Sequence, residues 1–69
     1  MTELKISDYG RFHFLVRHKK YEPIGLDLVA EIVSADKKYF LLRDNDEIEY
    51  YVLKTDIKSF TRMDKPKEL

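Results

Sequence analysis

The chain has no cysteine and no tryptophan, only two glycines, two prolines and two histidines in 69 residues, and no excess of either charge. Each scarcity removes a class of explanation. Without cysteine there are no disulfides and no thiolate metal site, so no disulfide framework holds the fold. Gly10 and Gly25 stand apart, so there is no glycine-rich phosphate loop. Thirteen Lys and Arg balance thirteen Asp and Glu, and the balance holds in each half, with five of each sign in residues 1–35 and eight of each in 36–69. Nucleic-acid binding ordinarily leaves a basic excess, which is missing here. No apolar run approaches the roughly 18 residues a membrane span needs. Met1-Thr2-Glu3-Leu4-Lys5 lacks the apolar core of a signal peptide. A cytoplasmic protein with no membrane partner is expected, and the leading Met1 suggests a whole, small reading frame.

What is present points to a folded domain. Hydrophobic residues make up 43% and charged residues 38%, with five Tyr and four Phe. That composition opposes disorder. A domain this small buries only about 60% of its unfolded surface. With disulfides excluded, oligomerisation or a partner is the remaining aid to stability.

The apolar residues fall into short runs with a period of two, the spacing of strands. Arg11 to Arg17 alternates, with Phe12, Phe14 and Val16 on one face. Four more runs come after it: Leu26–Ser34, Tyr39–Arg43, Ile48–Leu53 and Ile57–Thr61. Pro23 and Gly25 predict a turn before the second strand, and Asp44-Asn45-Asp46-Glu47 a hairpin tip, where Asn and Asp tolerate left-handed dihedrals. Lys54-Thr55-Asp56 fits a single 3₁₀ turn. Residues 1–9 suit either a short strand or one helical turn, ended by Gly10. The reading is one mainly β domain over residues 1–62, with a flexible charged tail over 63–69. Leu28, Ala30, Ile32, Phe40, Leu42, Tyr50 and Val52 form the expected core. Val29, Val33, Tyr39, Leu41, Tyr51 and Leu53 form a second, outer apolar set, and are the expected protein interface. Apolar residues on both faces of neighbouring strands need cover on both.

Chemistry-bearing clusters are sparse. His13 and His18 are five apart, which on a strand places them on opposite faces and argues against a metal pair. Asp44, Asp46, Glu47 and Glu49 lack calcium-loop spacing and read as a solvated turn. Ser7, Ser34 and Ser59 have no His and acid at a nucleophile's spacing. No enzyme and no cofactor are expected. Arg17-His18-Lys19-Lys20-Tyr21 is the densest basic stretch. A nucleic-acid contact would draw on Lys19, Lys20, Lys37, Lys38 and Lys54, with Arg43, Lys58 and Arg62 extending it if the fold gathers them.

Ala30-Glu31-Ile32-Val33-Ser34-Ala35-Asp36 resembles the second strand and following turn of Sm-like proteins. Val52-Leu53-Lys54-Thr55-Asp56-Ile57-Lys58-Ser59-Phe60 resembles their short final strands. The resemblance spans residues 26–61 and implies a small five-stranded antiparallel barrel of SH3-like or Sm-like type. Two departures separate the fold from the RNA site. Sm-like sites follow the turn aspartate with an asparagine, whereas Asp36 is followed by Lys37, Lys38, Tyr39 and Phe40. Their second motif is Arg-Gly or Lys-His; Lys54 matches and Thr55 does not. The functional expectation is a non-enzymatic protein-interaction module, acting as a homo-oligomer or as an accessory or inhibitor bound to a larger protein. An Sm-like RNA-binding barrel is the alternative.

Overall fold

A computed structural model describes residues 3–66. Five antiparallel strands form one sheet: β1 (Tyr9–Val16), β2 (Ile24–Ala35), β3 (Tyr39–Asp44), β4 (Glu49–Leu53) and β5 (Ile57–Arg62). One 3₁₀ turn, η1 (Lys54–Asp56), joins the last two strands. The order across the sheet is β4-β3-β2-β1-β5. Among the described residues β4 pairs only with β3 and β5 only with β1, so the sheet is not closed. It curls, however, and Phe14 of β1 meets Tyr50 of β4 edge-on at 6.1 Å. No described helix is long and apolar enough to cross a membrane.

Alternation sets the core. Phe12, Phe14, Ala30, Ile32, Phe40, Leu42 and Val52 are buried in one cluster, with Leu4, Leu26, Leu28, Tyr50, Ile57 and Phe60 packed around it. Five of the seven expected core residues are buried. Leu28 and Tyr50 are half-buried at its margin. Val16 shares a face with Phe12 and Phe14 but is 40% exposed, because it ends β1 opposite Ile24, the first residue of β2. Ile48 lies before β4 rather than in it and is 52% exposed.

Two bulges bend the sheet. In β2 the pairing with β3 shifts between Ile32 and Ser34, leaving Val33 as the extra residue. In β5 the pairing with β1 shifts where His13 opposes Ser59 but Phe14 opposes Ile57, leaving Lys58 as the extra residue. One inserted residue changes which face the neighbouring side chains take. That is how Ile57 and Phe60, three residues apart, both reach the core.

The glycines differ from their expected roles. Gly10 does not end a segment; it lies inside β1. A Cβ there would stand 2.1 Å from the Thr61 carbonyl oxygen. Gly25 lies in β2, and no glycine has positive φ. Left-handed dihedrals fall instead at Ser7 (φ 82°) and Glu47 (φ 65°). At the β3–β4 tip, Asn45 and Asp46 form the turn and Glu47, not Asn or Asp, takes the left-handed position after it.

The described segments flanking the sheet, residues 3–8 and 63–66, are bonded to it. Ser7 donates to the Ile32 carbonyl at 2.8 Å, and Ile32 donates to that of Asp8 at 2.9 Å. Residues 3–8 thus form neither strand nor helix, but a turn docked on β2. Met63 donates to the Tyr9 carbonyl at 3.0 Å, and Lys65 meets Glu31 at 2.8 Å. The start of the expected tail is therefore anchored; residues 67–69 lie outside the described residues.

Candidate functional site

The edge of β5 away from β1, unpaired among the described residues, borders an open groove of about 630 Å³ lined by Glu3, Leu4, Phe40, Lys54, Ile57, Lys58, Ser59, Phe60 and Arg62. Its apolar floor is built from three parts of the chain. Leu4 comes from the N-terminal turn, Phe40 from β3, and Ile57 and Phe60 from β5. Phe60 is held by Phe12 at a ring separation of 4.7 Å. Cations stand over the aromatic rings. The Lys54 ammonium lies 4.8 Å from the Phe40 ring centre, and the Arg62 guanidinium 5.5 Å from that of Phe60. Such placements are electrostatically favourable. They leave the groove with Lys54, Lys58 and Arg62 against one acid, Glu3.

Backbone direction matters as much as side chains. Antiparallel partners alternate between pairs that exchange hydrogen bonds and pairs that do not. The Met63 amide bonds Tyr9, two residues on from the opposed pair Arg11 and Thr61. The pairs Phe12–Phe60 and Gly10–Arg62 are then the non-exchanging ones, and Phe60 and Arg62 turn their N–H and C=O away from β1, toward the outer edge of β5 beside the groove. The same argument applies to β4. Lys54 donates to Lys38 at 2.8 Å and Asp44 to Ile48 at 3.0 Å, which leaves Glu49, Tyr51 and Leu53 facing outward.

Two buried carboxylates lock the ends of this edge. Asp8, 3% exposed, accepts from Arg62 at 2.8 Å and from the Lys5 amide at 2.9 Å. Asp56, 4% exposed, is gripped by Arg17 through Nε at 3.0 Å and Nη2 at 2.8 Å. The arginine hydrogen bond is in each case the main reason the carboxyl lies below its ordinary value of 3.8, burial acting the other way. The first pair fixes the Arg62 end of β5 to the N-terminal turn. The second fixes η1 to the end of β1.

The outer apolar set is partly covered within the single chain. Val29, Val33, Tyr39, Leu41 and Leu53 are half-buried, and Tyr51 is 62% exposed. Tyr39 and Tyr51 stack, with ring centres 4.5 Å apart and planes 5° from parallel. The Tyr51 hydroxyl donates to Asp36, and this bond is the leading cause of the lowered Asp36 carboxyl; the other Asp36 oxygen caps the Lys38 and Tyr39 amides. Asp36 is thereby the organiser of the β2–β3 turn.

The basic residues separate into groups. Lys54, Lys58 and Arg62 gather around the groove, whereas Arg43 pairs with Glu49 at 2.7 Å. Lys37 and Lys38 lie on the β2–β3 turn, and Lys19 and Lys20 on the exposed β1–β2 loop. His13 lies on β1, and His18 in that loop accepts from the Lys20 amide at 3.2 Å. The acids of the β3–β4 tip serve its geometry. Asp44 accepts from the Asp46 and Ile48 amides and from the Tyr50 hydroxyl.

The groove as a unit is not apparent in the sequence. Its signal is the basic–aromatic–basic spacing of Lys58, Phe60 and Arg62, but the Leu4 and Phe40 walls come from distant positions. No family model, curated protein or solved structure matches the chain.

Proposed function

We propose that the chain is a non-enzymatic protein-interaction module, built as a partly open SH3-like or Sm-like barrel, and that it holds its partner along the β5 groove. The strand order, the 3₁₀ turn before the last strand and the two bulges support the barrel reading. One observation carries the functional reading: outward-facing backbone groups of β5 lie beside an apolar groove with a cationic rim. A free edge offers main-chain hydrogen bonds to an incoming strand, and the adjoining apolar surface adds burial. The buried acids suit this reading better than catalysis. Asp8 and Asp56 are held ionised by arginines, below the range a general acid–base needs near neutral pH.

Self-association through the outer apolar set is a second reading, favoured by the exposure of Tyr51 beside the Tyr39 ring. An Sm-like RNA contact has one feature in its favour, the closeness of the Lys38 and Lys54 backbones. The balanced charge opposes it.

Affinity capture from nuclease-treated host lysate, with amine cross-linking, tests the proposal. The expected result is a nuclease-resistant protein joined through Lys54 or Lys58 and lost with the Lys54→Glu/Lys58→Glu variant. Cross-links confined to other faces, or a bound species removed by nuclease and eluted by salt, would count against it. Mass growth with concentration in light scattering, abolished by Tyr51→Asp, would instead favour self-association.

A further inference from the structure

We infer that the β5 groove takes an extended, acidic segment of another protein, added as a strand beside β5, with its carboxylates at Lys54 and Lys58. The inference rests on the reading of this groove as a protein-docking site and names what docks there. Three occupants compete: a nucleic-acid strand, the β5 of a second copy of the chain, and an extended segment of a different protein.

Backbone chemistry decides against the nucleic acid. Phe60 and Arg62 each present one donor and one acceptor at the outer edge of β5 beside the groove. A peptide strand satisfies both. A phosphodiester offers acceptors alone, and would set its charge against the two carbonyls. The rings give no platform for bases either, since Phe40 is buried and Phe60 packs on Phe12 under the Arg62 guanidinium.

Charge decides against a second β5. Two copies pairing antiparallel about Phe60 place Lys58 of each opposite Arg62 of the other. Like charges directly opposite destabilise a ladder. Charge also selects the third occupant. Arg62 is already satisfied by Asp8, and serves as a fixed wall. Among the described residues, Lys54 and Lys58 meet no carboxylate at ion-pair distance. Lys58 is the extra residue of the bulge, so its backbone is not matched to β1 and its side chain is not committed to a cross-strand neighbour there. A partner strand that turns apolar side chains to Leu4, Ile57 and Phe60, and carboxylates to Lys54 and Lys58, complements every part of the groove. Glu3 on the N-terminal wall disfavours carboxylates there, so the acidic residues belong toward the η1 end.

Nuclear magnetic resonance titration of the full chain tests this. The probes are a capped peptide whose alternate positions, which share one strand face, carry valine in one half and glutamate in the other, its counterpart with lysine in place of glutamate, a version of the acidic peptide N-methylated along one edge, and a mixed-sequence single-stranded oligonucleotide. The expected result is saturable binding of the acidic peptide with the largest shifts at the Phe60 and Arg62 amides. Affinity should fall by about tenfold or more in Lys54→Glu/Lys58→Glu, and binding should be lost on N-methylation of the edge that faces β5. The Lys54→Glu/Lys58→Glu variant keeps its core, and an unchanged amide spectrum outside the groove verifies that. Equal binding of the basic peptide, absence of binding by the acidic peptide, insensitivity to N-methylation, or preferential occupation by the oligonucleotide would overturn the inference. If the acidic peptide fails while protein cross-links from lysate still map to Lys54 or Lys58, the acidic-strand inference falls and the docking reading stands. If the cross-links also fail, both fall.

Discussion

Replacing Gly10 with alanine tests whether β5 is pressed against β1 as closely as the groove requires. The added Cβ would lie 2.1 Å from the Thr61 carbonyl oxygen and 2.8 Å from Cε1 of Phe60. About 1 Å of separation must be created in a packed region before that contact becomes tolerable. Little can yield, because the obstacle is backbone. Phe60 packs on Phe12 with its ring tilted, Met63 bonds Tyr9, and Arg62 is held by Asp8. Overpacking of this kind costs about 1–3 kcal/mol, and each ladder hydrogen bond lost as β5 lifts away costs about 1 kcal/mol more. A total near 3 kcal/mol is a large part of the roughly 5 kcal/mol that stabilises a domain of this size. The midpoint of thermal unfolding should drop by about 10–20 °C. Gly25→Ala is the control. Its Cβ meets only the His13 ring at 3.4 Å, and neither glycine has positive φ. It should be neutral or slightly stabilising, through the restricted unfolded chain. Circular dichroism melts of both variants decide the matter. A Gly10→Ala protein that melts with the wild type, or a Gly25→Ala protein that is equally damaged, would refute the close packing of β5 on β1.

Other outcomes rest on the same geometry. Phe12→Ala, at a fully buried position, should cost about 3–5 kcal/mol in urea unfolding. Tyr50→Ala should destabilise measurably, while Tyr51→Asp keeps the fold and raises accessibility at Tyr39; the reverse pattern in chemical denaturation would invert the register of β4. The lowered carboxyls of Asp8 and Asp56 contribute stability that is fully present above the ordinary value of 3.8 and is lost as pH falls through their lower folded values. Asp8→Asn and Asp56→Asn should each flatten the acid limb of a stability–pH curve. Glu47→Gly should raise the melting temperature by a few degrees, since left-handed backbone costs a side-chain-bearing residue about 1 kcal/mol.

The strands are legible in the sequence because burial imposes alternation. Phe12 and Phe14, Ala30 and Ile32, and Phe40 and Leu42 each sit two apart and face one core. Lys54-Thr55-Asp56 is legible as a 3₁₀ turn because three polar residues between apolar runs leave no room for more. The bulges at Val33 and Lys58 are not, since a bulge exists only relative to a partner strand's register. Gly10 reads as a breaker because the reason for it, the Thr61 carbonyl, lies far along the chain. The same holds for Arg17 with Asp56 and Arg62 with Asp8, whose partners are 39 and 54 residues apart. The groove is hidden for that reason too. Its basic residues are visible, but their gathering around Leu4, Phe40 and Phe60 depends on the curl of the sheet. The degree of exposure of the outer apolar set is not legible either, because alternation gives a side chain's direction and not its cover. Five of its six members are half-buried in the single chain.

Residue-resolved amide exchange along β5 tests the central claim most directly, first in the isolated protein and then in complex with the partner protein captured through Lys54 or Lys58. In the isolated protein Ser59 and Thr61 should be protected by β1, while Phe60 and Arg62 exchange as open-edge amides. On binding, Phe60 and Arg62 should become protected as well. Protection of all four in the free monomer, or no change at Phe60 and Arg62 in the complex, would contradict the account.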